Sequence, residues 1–212
     1  MYFLIVCEDE KTEPAYFDKF RSFFPERTLY LECVGTGRHQ LGVVEKAIQV
    51  RTEIQDIAQK QIDFTWVVFD KDDADRNETT IAKFADAYAS ANRNKISIAL
   101  SNEVFELWLL LHLEDVDPRT QIPRQDIYKR LEEAIQRLQI AAGESEGLFE
   151  YRHGKLEVLN MINRFGDENK AIERAVALQQ YFKDVEPIDA NPCTTVDRLV
   201  KELREWIRYY NY

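Results

Sequence analysis

Four short apolar runs, each followed by a stretch with helical periodicity, constrain this chain more than any other feature. Residues 2–7, 28–34, 64–69 and 95–100 are of strand length and rich in apolar side chains, as in strands buried on both faces. Helical spacing follows each run, at 12–24 (Phe17, Phe20, Phe24), 41–61 (Val44, Ile48, Arg51, Ile54), 79–92 and 105–113. Pro14 falls in the first turn of its helix, where a missing N–H costs nothing, and Gly35-Thr36-Gly37 reads as a tight turn opening the second helix. Strands alternating with helices predict a parallel sheet with right-handed crossovers. After residue 114 only helical periodicity remains, at 125–141, 154–165, 168–184 and 194–210, punctuated by Pro118, Pro123, Gly143, Gly147, Pro187 and Pro192. The expected organisation is an α/β core over 1–114 and a helical extension over 115–212 packed on it.

Composition narrows the function classes. With 45% hydrophobic and 12% aromatic residues the 212-residue chain can bury a core. No apolar run approaches the roughly 18 residues of a membrane span, and the start lacks the basic segment and cleavage site of a signal peptide. Three cysteines, Cys7, Cys33 and Cys193, fit neither a disulfide framework nor a zinc site, so a reducing, cytoplasmic location is expected. The net charge of −10 excludes a basic nucleic-acid module in bulk. A polyanion would need a local basic patch or metal ions.

The acids are placed where they matter. Glu8-Asp9-Glu10 follows the first strand and Asp70-Lys71-Asp72-Asp73 the third, at the carboxyl edge where open α/β sheets bind ligands. A strand order of 2-1-3-4 makes these strands neighbours and brings both clusters into one crevice. Two carboxylates about 4 Å apart repel by about 1 kcal/mol in water and about 4 kcal/mol at an effective dielectric near 20. Such a cluster raises a pKa or binds a cation, and oxygen donors suit Mg²⁺ or Mn²⁺. Such an ion suits phosphoryl chemistry.

Candidate roles follow. Asp70 and Asp72, two apart in an extended segment, would point the same way and are the candidate metal-ligand pair, or else begin a polar loop. Glu8 is a ligand or general acid/base. Glu10 is its substitute or a charge at a helix N-terminus, Lys11 a phosphate contact or a solvated lysine, and Asp73 a secondary ligand or a solvated residue. Asn102 and Glu106, four apart, share a helical face that extends the crevice or caps the helix. His112 belongs to the core or its rim, and Leu107, Trp108, Leu110 and Leu111 are core. Arg198, Lys201, Arg204 and Arg208 form an arc on the last helix that steers nucleic acid or is simply solvated. Asn191 and Thr194 read as a turn and a helix cap.

The acids after strands one and three resemble the TOPRIM domain of topoisomerases, primases and certain nucleases. More specifically, Cys7-Glu8-Asp9-Glu10-Lys11-Thr12-Glu13-Pro14 with Tyr16-Phe17, the run 67–73, Ser101-Asn102 with 105–112, and 191–196 are similar to the motifs of the RloB family. The resemblance implies a TOPRIM-like (Rossmann-like) four-stranded, mainly parallel sheet. It implies a Mg²⁺- or Mn²⁺-dependent nuclease acting on DNA or tRNA, with Glu8 as the TOPRIM glutamate and Asp70 and Asp72 as the DxD pair. Its setting would be bacterial antiphage or abortive-infection defence, with an ABC/AAA-type ATPase partner encoded nearby and homo-oligomers possible. The alternative is a catalytically inactive binding or regulatory subunit of the ATPase complex. Two positions depart from the pattern: Asp9 stands where glycine is expected, and Glu103-Val104 where Pro-Cys is expected. A phospho-receiver reading fits poorly with the DxD spacing and the long helical tail.

Overall fold

A computed structural model describes residues 1–33 and 40–210; the Gly35-Thr36-Gly37 turn lies outside these described residues. Strands β1 (Phe3–Cys7), β2 (Leu29–Cys33), β3 (Phe64–Asp70) and β4 (Ser97–Ser101) form one sheet in the order β2-β1-β3-β4. Every pairing is parallel, with Phe3 opposite Leu29 and Phe64, and Asp70 opposite Ser101. Helices α1 (Thr12–Asp18), α2 (Gln40–Ala58), α3 (Glu78–Arg93) and α4 (Glu106–Leu111) follow the strands in turn. Beyond them come α5 (Arg124–Ala141), α6 (Glu157–Phe165), α7 (Glu168–Tyr181) and α8 (Val196–Tyr210).

Alternation along the strands sorts side chains onto two faces. Leu4, Val6, Val67, Phe69 and Leu100 pack with α2 and α3. Phe3, Ile5, Cys7, Trp66, Val68 and Ala99 pack with α1, α4 and the later helices. All five residues of β1 are fully buried, which is why that run carries no polar alternation.

The first helix is shorter than the phenylalanine spacing predicts. It stops at Asp18, a 3₁₀ turn covers Arg21–Phe23, and Phe24 is extended at φ −101°. Pro25 disfavours a helical conformation in the residue before it; Phe20 and Phe24 are buried all the same. All six residues of α4 are buried, as expected of a helix apolar on every side. Each fully buried large apolar side chain there contributes roughly 1.5–3 kcal/mol, and that packing fixes where the one acid of the helix, Glu106, must stand.

The segment before α8 latches onto the free edge of β4. The Leu100 amide donates to Thr195 Oγ1 at 2.9 Å, the Thr194 hydroxyl donates to the Leu100 carbonyl at 3.1 Å, and Ser101 and Thr194 form an antiparallel bridge. From there α8 runs back to the amino ends of the central strands β3 and β1. Trp206 meets Phe64 at a ring separation of 5.6 Å, and the Tyr210 hydroxyl donates to the Met1 carbonyl at 3.3 Å.

Candidate functional site

The two acidic clusters meet. Register places Cys7 beside Val68, and the Glu8 amide continues the ladder by donating to the Val68 carbonyl at 2.9 Å. The Glu8 carboxylate turns toward β3 and accepts the Asp70 amide at 3.0 Å. A cavity of about 1110 Å³ opens above them, lined among others by Glu8, Glu13, Asp70, Asp72, Glu106 and Arg124.

Two of these acids come from positions whose neighbours are apolar. Glu13 is 1% exposed and lies on the buried face of α1 with Tyr16 and Phe17, with Phe20 buried just beyond the helix. An acid at i beside apolar residues at i+3, i+4 and i+7 is the sequence signal that would have found it. Glu106 is 4% exposed and accepts the Tyr151 hydroxyl at 2.5 Å. Tyr151 is tied down in turn, its amide donating to Glu132 on α5 at 2.7 Å.

Burial dominates the electrostatics. It drives the Glu8 carboxyl up to about 7; the Asp70 amide hydrogen bond opposes this, and the charges of Asp72 and Asp9 reinforce it. Burial also holds Glu13 and Asp70 well above the ordinary carboxylate range. Glu8 adds to the effect at Glu13, and Glu13 and Glu8 add to it at Asp70. Glu106 is raised by burial against the pull of the Tyr151 hydrogen bond. Asp72 is raised by burial too, although Arg124 draws it down. Glu13, Asp70 and Glu106 resist ionising because water is excluded and like charges are near, whereas the Asp72 side chain stays partly open to water and paired with Arg124.

The donor chemistry fits a hard divalent cation. Asp70 Oδ1 is buried and has no hydrogen-bond partner among the described residues. The surrounding donors are carboxylate oxygens whose ionisation a cation would relieve. Among the described residues, however, no group of three or more His, Cys, Asp or Glu side chains is arranged to hold a metal ion. Arg124 partly explains this, since its guanidinium pairs with Asp72 at 3.2 Å and with Asp73 at 3.1 Å.

Several expectations are corrected by the geometry. Asp72 does not continue an extended strand: β3 ends at Asp70, and Asp72 takes φ +49° in a turn, which aims its carboxylate at Arg124. Lys71 between them is buried and paired with Asp75 at 2.8 Å and Glu103 at 3.1 Å. Burial would lower its pKa, but those hydrogen bonds outweigh it and the ammonium is raised. Glu10 and Lys11 are exposed and lie outside the cavity lining, and the Lys11 side chain runs beside Gly154 instead. Asn102 shares no helical face with Glu106, because α4 begins only at Glu106. Its Nδ2 donates to the Pro187 and Ile188 carbonyls at 3.2 and 3.3 Å, holding that loop.

The basic arc of α8 is largely engaged within the fold. Lys201 pairs with Asp197, Arg204 with Glu168, and Arg198 donates to Gln179 at 2.9 Å. Arg208 is exposed near the edge of the sheet opposite the crevice. His112 is buried as a core residue, with Nδ1 2.9 Å from the Trp108 carbonyl and Nε2 3.3 Å from the Tyr16 hydroxyl, and burial lowers its pKa to about 4.

Both departures in the sequence have local roles. Asp9 Oδ2 accepts the Thr12 amide at 2.6 Å and Oδ1 the Glu10 amide at 2.7 Å, so its side chain fixes the entry to α1. Glu103 sits at φ +71°, which the ring of a proline forbids. Its carboxylate neutralises the buried Lys71.

Fold and site together define an open, all-parallel α/β protein with a carboxylate-lined crevice at the carboxyl edge of its sheet. The RloB-like protein family model matches residues 3–203, and the chain belongs to that family. No curated protein and no solved structure matches it.

Proposed function

We propose that this chain is a Mg²⁺- or Mn²⁺-dependent nuclease that cleaves phosphodiester bonds of DNA or tRNA. In this reading it is the effector of an antiphage or abortive-infection system, controlled by an ABC/AAA-type ATPase partner. One observation carries the reading: carboxylates from the end of β1 and from α1, β3 and α4 converge on one crevice, where Asp70 Oδ1 has no partner among the described residues. An arrangement so costly to ionise calls for a positive ligand.

Glu8, Asp70 and Asp72 would hold the ion. When bound, it would supply charge for a phosphate oxygen and acidify water at neutral pH. The remaining tasks fall to the chain itself. Where Glu8 is not itself bound to the ion, its carboxyl can instead exchange a proton with water or with a leaving oxygen. Arg124, already at the crevice mouth, can exchange Asp72 and Asp73 for a phosphate. Tyr151 holds Glu106 in place.

The test incubates the purified chain, with and without its neighbouring ATPase, with plasmid and total tRNA plus Mg²⁺ or Mn²⁺. Cleavage is expected, and Asp70→Ala combined with Asp72→Ala abolishes it; cleavage that survives the double substitution rejects the site. A second reading, a non-catalytic subunit of the ATPase complex, is favoured by the ion pairs that occupy Asp72. It predicts complex formation with no cleavage under either metal.

A further inference from the structure

The wall of the crevice facing the acids is aromatic and basic, and nothing in the reading above uses its rings. On α5 the cavity is lined by Arg124, Gln125, Tyr128, Lys129 and Glu132, one helical face by its spacing. Tyr128 is half-buried and stacks on Tyr151 with ring centroids 4.7 Å apart and planes 16° apart. His153 extends the group at 5.9 Å from Tyr128, tilted by 48°.

This pair is built rather than incidental. The segment carrying Tyr151 is laced along α5: Gln136 donates to the Phe149 carbonyl at 2.8 Å, and the Phe149 amide donates to Gln139 at 2.7 Å. With the Tyr151 amide on Glu132 and its hydroxyl on Glu106, the second ring is held at both ends. A parallel ring pair fixed in this way, lining a large cavity, is suited to a flat π-surface. The rings adjoin the acids: the charges of Glu106 and Asp70 help to raise the Tyr128 phenol, after burial.

We infer that Tyr128, backed by Tyr151, seats a nucleobase of an unpaired nucleotide, with Arg124 one turn earlier on α5 positioned for the adjoining phosphate. The inference rests on the nucleic-acid reading above and sharpens its substrate to single-stranded or looped regions. Bases inside a duplex already stack on their neighbours and cannot enter, whereas an unpaired base gains from an aromatic partner whatever its identity.

The test measures binding of end-labelled short oligonucleotides by fluorescence anisotropy, using the full chain with Asp70→Asn to block turnover. Single-stranded oligonucleotide should bind more tightly than the same sequence as duplex. Tyr128→Phe should bind like its parent, while Tyr128→Leu weakens single-strand binding about tenfold or more. An oligonucleotide of abasic residues, which keeps sugar and phosphate but has no ring, should bind weakly and equally to the parent and to Tyr128→Leu. This comparison needs only the parent to be folded, and circular dichroism checks the variants. Equal binding of abasic and base-bearing strands by the parent overturns the base seat. If the wild-type chain still cleaves with Mg²⁺ or Mn²⁺, only the seat has failed. If it neither binds nor cleaves any strand, the nuclease reading falls with it.

Discussion

Replacing Glu8 by Gln should stabilise the protein at neutral pH and leave it unchanged in acid. The Glu8 carboxyl sits near 7 in the folded chain against an ordinary value of 4.5. The folded state therefore holds this proton more tightly than the unfolded state does. Stability from this group is full below pH 4.5 and is lost as pH rises toward 7. At about 1.4 kcal/mol for each tenfold change in proton affinity, the loss is about 3 kcal/mol. Glutamine copies the protonated form, and its carbonyl can still accept the Asp70 amide. Urea or thermal unfolding of both proteins at about pH 4 and pH 8 measures the difference. The curves should coincide in acid, and Glu8→Gln should melt roughly 6–12 °C higher at the alkaline end, since 1 kcal/mol moves the midpoint by about 2–4 °C in a chain of this size. Saturating Mg²⁺ should raise the wild-type midpoint and close much of that gap, because a bound cation stabilises the ionised form. A Glu8→Gln protein no more stable than wild type at pH 8 would refute the claim that burial holds this acid protonated.

Other perturbations test other parts of the argument. Arg124→Ala removes only partly exposed ion pairs and should cost less than about 1 kcal/mol in unfolding; calorimetry should show tighter Mg²⁺ binding, since Asp72 is released. Asp9→Gly deletes the contacts that fix the start of α1. It should cost a few tenths of a kcal/mol to about 1 kcal/mol in denaturant unfolding, and metal-dependent cleavage should persist. His112 acts with the opposite sign from Glu8. Its pKa is lowered to about 4 by burial, so stability is lost as pH falls from 6.5 toward 4, and His112→Gln should flatten that limb of the pH–stability curve. Trp108→Ala empties a fully buried site beside Tyr16 and should cost about 3–5 kcal/mol by chemical denaturation.

The sequence by itself determined the sheet and the principal acids. The apolar run of β1 and the largely apolar run of β3 read as strands buried on both faces, and acids at the ends of such strands appear at the carboxyl edge. The strand order 2-1-3-4 is an expectation that goes together with the resemblance, and with it the meeting of Glu8 and Asp70; both are present. Local pattern also placed His112 and the Leu107–Leu111 stripe in the core. Only the tertiary structure decided which further groups share the crevice. Glu13 reaches it because the apolar face of α1 is pressed onto the sheet, and Glu106 because α4 is buried on every side. Asn102 leaves it because a distant loop offers two carbonyls. The left-handed turn at Asp72, the occupation of Arg124, and the stacking of Tyr128 on Tyr151 join residues far apart in the chain or depend on one backbone angle. Periodicity records which face a residue takes, but not which remote side chain meets it there, because that is settled by packing between elements.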